Sequence, residues 1–392
     1  MTTANMLGPY GEWAAQILPK SSGHSSLRRR DAPPLNRWKC RARERILELM
    51  AMPATGRRPR VRVDARYEHD GLHVEELSWQ LPFGPRTRAV FLKPVHVEGT
   101  LPGVLALHDH GGRKYFGMRK IVQLRGRRHP LIIEHQRQHY GDRGWANALA
   151  CRGYAVLVHD GFLFGSRRIR YQHVPDVIAR GRRERNPESS REVLEYNEWA
   201  SEQETVVAKS LICAGTTWPG VFCAEDQRAL DVLCARPDVD AARVGCGGLS
   251  GGGLRTVFLA GLDDRIAAAF CAGFMTTWRD FQLYKSYTHT WMTYLPGAPR
   301  ELDFPEILGL RVPLPTQVLS CWEDSLFTPE GMREADRILR RVYAKAGAEN
   351  RYDCRFYRGG HKLDLPMQTD AFAFLDRWIG PMVDTPPTGY TR

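Results

Sequence analysis

Residues 243–252 read Arg-Val-Gly-Cys-Gly-Gly-Leu-Ser-Gly-Gly. Within that run, Gly248-Leu249-Ser250-Gly251-Gly252 is a Gly-x-Ser-x-Gly pattern. Small and apolar residues lead into it, as at the end of a buried strand. An amphipathic run follows, with Leu254, Val257, Phe258 and Leu262 at helical spacing. The segment predicts a strand, a sharp turn and a helix, with Ser250 presented on the turn. The glycines have a steric task there. Such a turn strains the serine backbone, and side chains beside it would collide with the adjoining strand and helix. A Gly-rich turn without chemistry can carry the same pentapeptide, so the reading depends on what accompanies it.

The surrounding pattern is α/β. After Leu101-Pro102-Gly103, short apolar runs alternate with helical segments. Strands are expected at 104–108, 154–159, 243–249, 266–274, 316–321 and 352–357. Helices are expected at 145–152, 224–235, 252–262, 331–346 and 369–379. This alternation predicts a mostly parallel sheet with helices on both faces. Ahead of it, residues 1–35 are polar, rich in Ser, Arg and Pro, and expected to be poorly ordered in part. A helix is expected from Asn36, with Trp38, Ala42, Ile46, Leu49 and Met50 on one face and Pro53 at its end. Residues 36–100 then read as a helix and strands packed on the core, 101–380 as the main domain, and 381–392 as a tail. Insertions are expected at about 113–143, 162–215 and 275–312.

Composition narrows the class. The 392 residues can bury one large core or two ordinary ones. No stretch of about 18 uncharged apolar residues occurs, so no transmembrane helix and no membrane partner are expected. Residues 1–30 lack the apolar core of a signal peptide, which points to a cytoplasmic protein. The nine cysteines are scattered singly, with no Cys-x-x-Cys pair and no zinc-ligand spacing. They read as reduced core thiols, and no metal is expected. The net charge of +12 comes mostly from arginine. Nucleic acid is not the expected partner; a small-molecule or carbohydrate ester is, with a second copy of the chain as a further candidate.

A serine hydroxyl is a poor nucleophile at neutral pH. It needs a base, and the base needs a group to orient it. In a parallel α/β sheet these groups belong at the carboxyl ends of strands. The base candidate is His361, in Tyr357-Arg-Gly-Gly-His-Lys, between the last strand and the last helix. The acid candidate is Asp324, directly after strand 316–321; Glu323 and Asp280 are alternatives. The oxyanion candidates lie in His108-Asp109-His110-Gly111-Gly112, where amides near Gly111 and Gly112 could pair with that of Gly251.

The order Ser250, Asp324, His361 is that of the α/β-hydrolases. The sequence resembles that superfamily over about residues 36–380, specifically its dienelactone-hydrolase-like and acetyl-xylan-esterase-like branch. The carriers are Leu107 to Gly112 with Gly117, Met118 and Lys120; Asp160 to Arg168; Ala208 to Leu211; Asp226 to Leu233; Gly248 to Gly252; Leu295-Pro-Gly with Asp303-Phe-Pro-Glu; Asp324 with Pro329; and His361. The resemblance implies a serine esterase without a cofactor, acting on acetylated or otherwise esterified carbohydrates. Dienelactone hydrolases proper use a cysteine nucleophile, where this chain has Ser250. A serine peptidase of the prolyl-oligopeptidase kind shares the order of the triad, but no propeller-sized partner domain is present. A catalytically silent hydrolase-fold protein that binds a polyanion is the alternative from another class.

The charge is uneven. Residues 113–143 hold nine Arg or Lys, and residues 166–185 hold seven arginines. Both loops leave the carboxyl ends of strands. Arg113, Lys114, Arg167 and Arg168 are therefore candidates for a basic rim that attracts an anionic ester; an oligomer contact and plain solvated loops are the other readings. Trp278, with Phe281, Tyr284, Tyr287, Trp291 and Tyr294, is either a pocket wall over the serine or a satellite core.

Overall fold

The computed structural model describes residues 4–18, 23–97 and 99–381. Among these, nine strands form one sheet. They are β1 (Arg62–His69), β2 (Leu72–Trp79), β3 (Thr87–Pro94), β4 (Leu101–Leu107), β5 (Ala155–His159), β6 (Val239–Leu249), β7 (Ile266–Ala272), β8 (Thr316–Cys321) and β9 (Tyr352–Tyr357). Their order is β1-β2-β3-β5-β4-β6-β7-β8-β9. β1, β2, β3 and β5 pair antiparallel in succession, and every later neighbour pair is parallel. β4, β5 and β8 are buried at every position, as strands covered on both faces must be. β1 buries none of its residues and carries Arg62, Asp64, Arg66 and Glu68, charges that guard an open sheet edge.

The helices ahead of the serine are α1 (Gly11–Ile17), α2 (Leu35–Met50), α3 (Pro130–Tyr140), α4 (Trp145–Ala150), α5 (Asp176–Ala179), α6 (Ser190–Glu202), α7 (Glu204–Cys213) and α8 (Trp218–Cys234). After it come α9 (Gly251–Leu262), α10 (Trp278–Asp280), α11 (Ala298–Glu301), α12 (Phe304–Gly309), α13 (Pro329–Lys345) and α14 (Leu365–Ile379). The pleat of β4 sorts the two layers. Leu105 and Leu107 face a core with Phe222 of α8, Phe258 of α9 and Leu339 of α13. Val104 and Ala106 face the other core, with Trp145 of α4 and Phe372 of α14. Every residue of α9 is buried, so the helix behind Ser250 is enclosed all round.

Several boundaries differ from the sequence reading, each for a local reason. α2 stops at Met50, ahead of Pro53, because Ala51 turns left-handed at φ 47° and returns its N–H to the Glu48 carbonyl. α8 begins at Trp218, where Thr217 caps the Gly220 N–H at 3.0 Å. α14 begins at Leu365, capped by Asp364. The insertions are built rather than loose: 113–143 contains α3, 162–215 contains α5 to α7, and 275–312 contains α10 to α12. Residues 23–34, expected to be poorly ordered, pack on the domain. Ser26 and Arg28 both bind the buried Glu306 carboxylate, and Trp38 Nε1 donates to the Ser25 carbonyl at 2.7 Å. Polar composition hid this, because those residues answer a buried charge distant in sequence. Of the tail, only residue 381 lies within the described residues.

A Cβ on Gly252 would run into the Leu107 carbonyl oxygen, whereas one on Gly215 would meet nothing within 4 Å. Gly252→Ala should cost about 3 kcal/mol or more, since a backbone contact cannot be relieved by a rotamer change. Gly215→Ala, at φ 76°, should cost about 1–2 kcal/mol from backbone conformation alone. Urea unfolding of the two variants checks the difference; equal losses would contradict it.

Candidate active site

Ser250 sits between β6 and α9 with φ 58° and ψ −116°, a conformation disfavoured for any side chain. Its N–H donates to the Ala272 carbonyl at 2.8 Å. Glycines make the turn possible. At Gly248 and Gly252 a Cβ would strike the Leu107 carbonyl oxygen at the end of β4. At Gly251 it would lie 2.8 Å from the backbone N of His110. The nucleophile candidate is therefore pressed against the end of the neighbouring parallel strand. Its hydroxyl makes no hydrogen bond among the described residues.

His361 follows β9 and Asp324 follows β8. His361 Nδ1 lies 2.6 Å from Asp324 Oδ2. A carboxylate only accepts, so Nδ1 is the donor in this contact. The other Asp324 oxygen accepts the Leu326 N–H at 3.0 Å, which fixes the carboxylate plane. Gly273, at the end of β7, lets the ring approach the serine strand. A Cβ there would lie 2.8 Å from Leu249 Cδ1 and 3.1 Å from His361 Cε1. The two alternative acids are engaged elsewhere. Glu323 binds the Gly359 N–H, and Asp280 accepts from Thr276 and Thr328 at 2.7 and 2.8 Å.

The turn after β4 differs from the expectation. The Gly112 N–H is taken by His110 Nδ1 at 3.1 Å, and a Cβ on Gly111 would run into Asp109 and His135. The amide that stands beside Gly251 is that of His110, and it makes no hydrogen bond among the described residues. Sequence spacing pointed to the glycines, whereas the path of the chain as it leaves β4 sets the His110 nitrogen beside Gly251.

This turn is held from below by buried charge. Asp109 accepts the Tyr140 hydroxyl at 2.5 Å and lies 3.2 Å from Lys120 Nζ and 3.1 Å from His135 Nε2. Burial opposes its charge, but Lys120 and His135 outweigh that and hold the carboxyl well below its usual range. Burial also brings the Lys120 ammonium down to about 8. His108 accepts the Gly161 N–H on Nε2 at 3.1 Å and turns Nδ1 to the Asp109 carbonyl at 3.0 Å. Burial pushes its pKa well down, so this ring is neutral. Glu204, also buried, binds His110 and Lys114; despite burial, those partners lower its pKa strongly. Phe164, Trp218 and Phe222 back the turn around a cavity of about 10 Å³, room for about one water.

No protein-family model matches the chain. A protein of Bacillus subtilis (strain 168) assigned as a hydrolase, YtaP, is 26% identical over 322 residues, 81% of this chain and 91% of that protein. A Bacteroides fragilis NCTC 9343 structure assigned as an acetyl xylan esterase superposes with a TM-score of 0.67, at 17% identity, covering 90% of this chain and 83% of that one. A glucuronoyl esterase from Solibacter usitatus gives 0.59, at 16% identity, covering 92% and 99%. The chain has the α/β-hydrolase fold.

Within this α/β-hydrolase fold, most of the expected basic rim is interior. Arg167 donates to the Phe83 carbonyl at 3.1 Å and pairs with Glu225, itself buried. Arg168 lies 4.4 Å from the Tyr115 ring centre and 3.3 Å from Glu184. Lys114 is 2% exposed. Arg167 and Lys114 are neutralised by Glu225 and Glu204, far along the chain, and Arg168 by Glu184 of its own loop, so the local excess of arginine misled. Arg113 remains half-buried, 3.7 Å from Glu134. Trp278 is no pocket wall either: it stacks on Phe304 with ring centres 3.6 Å apart and donates to the Leu302 carbonyl. The aromatic segment divides, with Phe281 buried and Tyr284, Tyr287 and Trp291 exposed. The stretch from Lys285 to Trp291 crosses the site. Lys285 and Thr288 bind the Ser325 and Leu326 carbonyls beside Asp324, and the Trp291 N–H reaches Glu204 at 3.4 Å.

Sequence reasoning missed Glu204 altogether, because an acid at the start of an insertion helix looks solvated. It also missed the buried pair of Arg255 with Asp226, 2.6 Å apart. The signal was there for Arg255, the one charge in an otherwise apolar helix.

The lowered carboxylates set an acid limit. The unfolded chain binds protons on Asp109 and Glu204 at an ordinary carboxylate pKa of about 4, before the folded chain does. Their stabilisation is complete above that range and is lost as pH falls below it. Melting temperature should drop between pH 6 and pH 3, and Asp109→Asn should start lower and drop less steeply. A variant slope as steep as the parent's would refute the assignment.

Proposed function

We infer that the protein is a serine carboxylic-ester hydrolase that acts on an acetylated or otherwise esterified carbohydrate, or on a similar small ester. The observation that carries this reading is the Asp324–His361 pair at 2.6 Å, set at the ends of strands in the same sheet whose β6 ends at a strained Ser250. The likeness of the fold to an acetyl xylan esterase and a glucuronoyl esterase supports the substrate class.

In this mechanism, Ser250 Oγ attacks the ester carbonyl carbon while His361 Nε2 takes its proton. Asp324 keeps the imidazole oriented and stabilises the imidazolium. The carbonyl oxygen gains negative charge and receives the amides of Gly251 and His110, which the fold holds ready without reorganisation. The tetrahedral adduct expels the alcohol, which takes the proton from His361. Water, deprotonated by His361, then attacks the acyl-serine ester; the acid leaves and Ser250 regains its proton. No cofactor is needed for any step.

Ser250→Ala should lower kcat by roughly 10⁴–10⁶-fold and Asp324→Asn by roughly 10³–10⁴-fold, both with an unchanged fold. Release of 4-nitrophenol from short acyl esters, followed by a panel of neutral and acidic sugar esters, measures this. Undiminished turnover in Ser250→Ala would sink the mechanism.

A further inference from the structure

Lys114, Glu204 and His110 meet in a buried cluster that the triad chemistry leaves unexplained. Glu204 Oε1 lies 2.6 Å from His110 Nε2 and also binds the Lys114 ammonium. Glu204 Oε2 accepts the Trp291 N–H at 3.4 Å. The contacts converge on one peptide. The His110 carbonyl accepts Lys120 Nζ at 3.0 Å, and its imidazole Nδ1 accepts the Gly112 N–H at 3.1 Å. The His110 residue is thus gripped at its carbonyl and at both ring nitrogens. Its N–H alone makes no hydrogen bond among the described residues, and a Cβ on Gly251 would lie 2.8 Å from its nitrogen.

We propose that Glu204 is a positioning residue for the oxyanion site: through the His110 ring it holds the His110 amide beside that of Gly251. The proposal rests on the esterase reading above. Its chemistry is one of tautomers. The Gly112 N–H donates to Nδ1, so a neutral ring carries its proton on Nε2 and gives it to Glu204, whose carboxylate also takes the Lys114 ammonium that lies 2.8 Å from the same nitrogen. Against its burial, His110 and then Lys114 hold the Glu204 carboxyl in its ionised, accepting form. Without the carboxylate the ring is free to reverse its tautomer, release Gly112 and let the turn shift. Oxyanion donors act through placement, so a shift reduces transition-state binding more than substrate binding.

The test uses the whole chain and 4-nitrophenyl acetate. The double variant Lys114→Met/Glu204→Leu removes both charges together and leaves no buried ion unpaired, so it separates position from folding. Its kcat should fall about 10–100-fold while KM stays within about twofold. Inhibition by a trifluoromethyl ketone, whose adduct with serine carries an oxyanion, should weaken by the same factor as kcat/KM. Glu204→Gln, which keeps an acceptor oxygen, should fall between the double variant and the parent. Unchanged kcat, a rise in KM alone, or undiminished inhibition by the ketone overturns the proposal. So does failure of both variants to melt cooperatively, which would make the cluster a folding element. If the parent hydrolyses no ester, or Ser250→Ala is fully active, the esterase reading falls instead.

Discussion

The close approach of the β6–α9 turn to the end of β4 is the constraint on which the rest of the molecule depends. Gly248 and Gly252 lie against the Leu107 carbonyl, and Gly251 lies against His110 N. Any side chain at these positions would push the helix off the strand. With the glycines in place, α9 sinks until all of it is buried, and Ser250 is left in a conformation that only surrounding packing can sustain. The same contact brings two strand ends together. One presents a hydroxyl and an amide, and the other presents a second amide. The site is therefore a by-product of how tightly two parallel strands and one helix can pack.

Buried charge holds the ends in register. Asp109 with Lys120 and His135, Glu204 with Lys114 and His110, and Asp226 with Arg255 all lie beneath the carboxyl edge of the sheet. Ion pairs of this kind add little net stability, because desolvation offsets most of their attraction. Their visible effect is geometric. A packed apolar turn can relax by small shifts, whereas a buried carboxylate tolerates few positions for its donors. Two of these clusters fasten successive residues of one turn, 109 and 110, next to the serine.

Much of the fold was legible in the sequence. Every expected strand from 104 onward appears; for β4, β5 and β8 the reason is that a two-sided parallel strand must be apolar along its length, and few other elements in a chain of this composition are. The order of Ser250, Asp324 and His361 on strand ends was legible for the same reason. In the turn after β4 the nitrogen beside Gly251 is that of His110, ahead of the glycines to which the spacing pointed, since glycines mark where a chain can bend and not which amide is set beside the serine turn. The arginines were misread because charge density along the chain says nothing of partners across it. Arg167 finds Glu225 and Arg28 finds Glu306, each far away in sequence.

By itself, then, the sequence determined what is written in short-range pattern: strands, the helix behind the serine, the glycines of the turn, and which serine, acid and histidine stand at strand ends. Only the tertiary structure decided which charges are interior, that Asp324 rather than Glu323 meets His361, and that His110 rather than Gly112 faces Gly251. The physical reason is one of range. Burial periodicity and steric need act over a few residues and leave local marks, while hydrogen-bond partnership and burial of charge are settled between segments that meet only when the sheet closes.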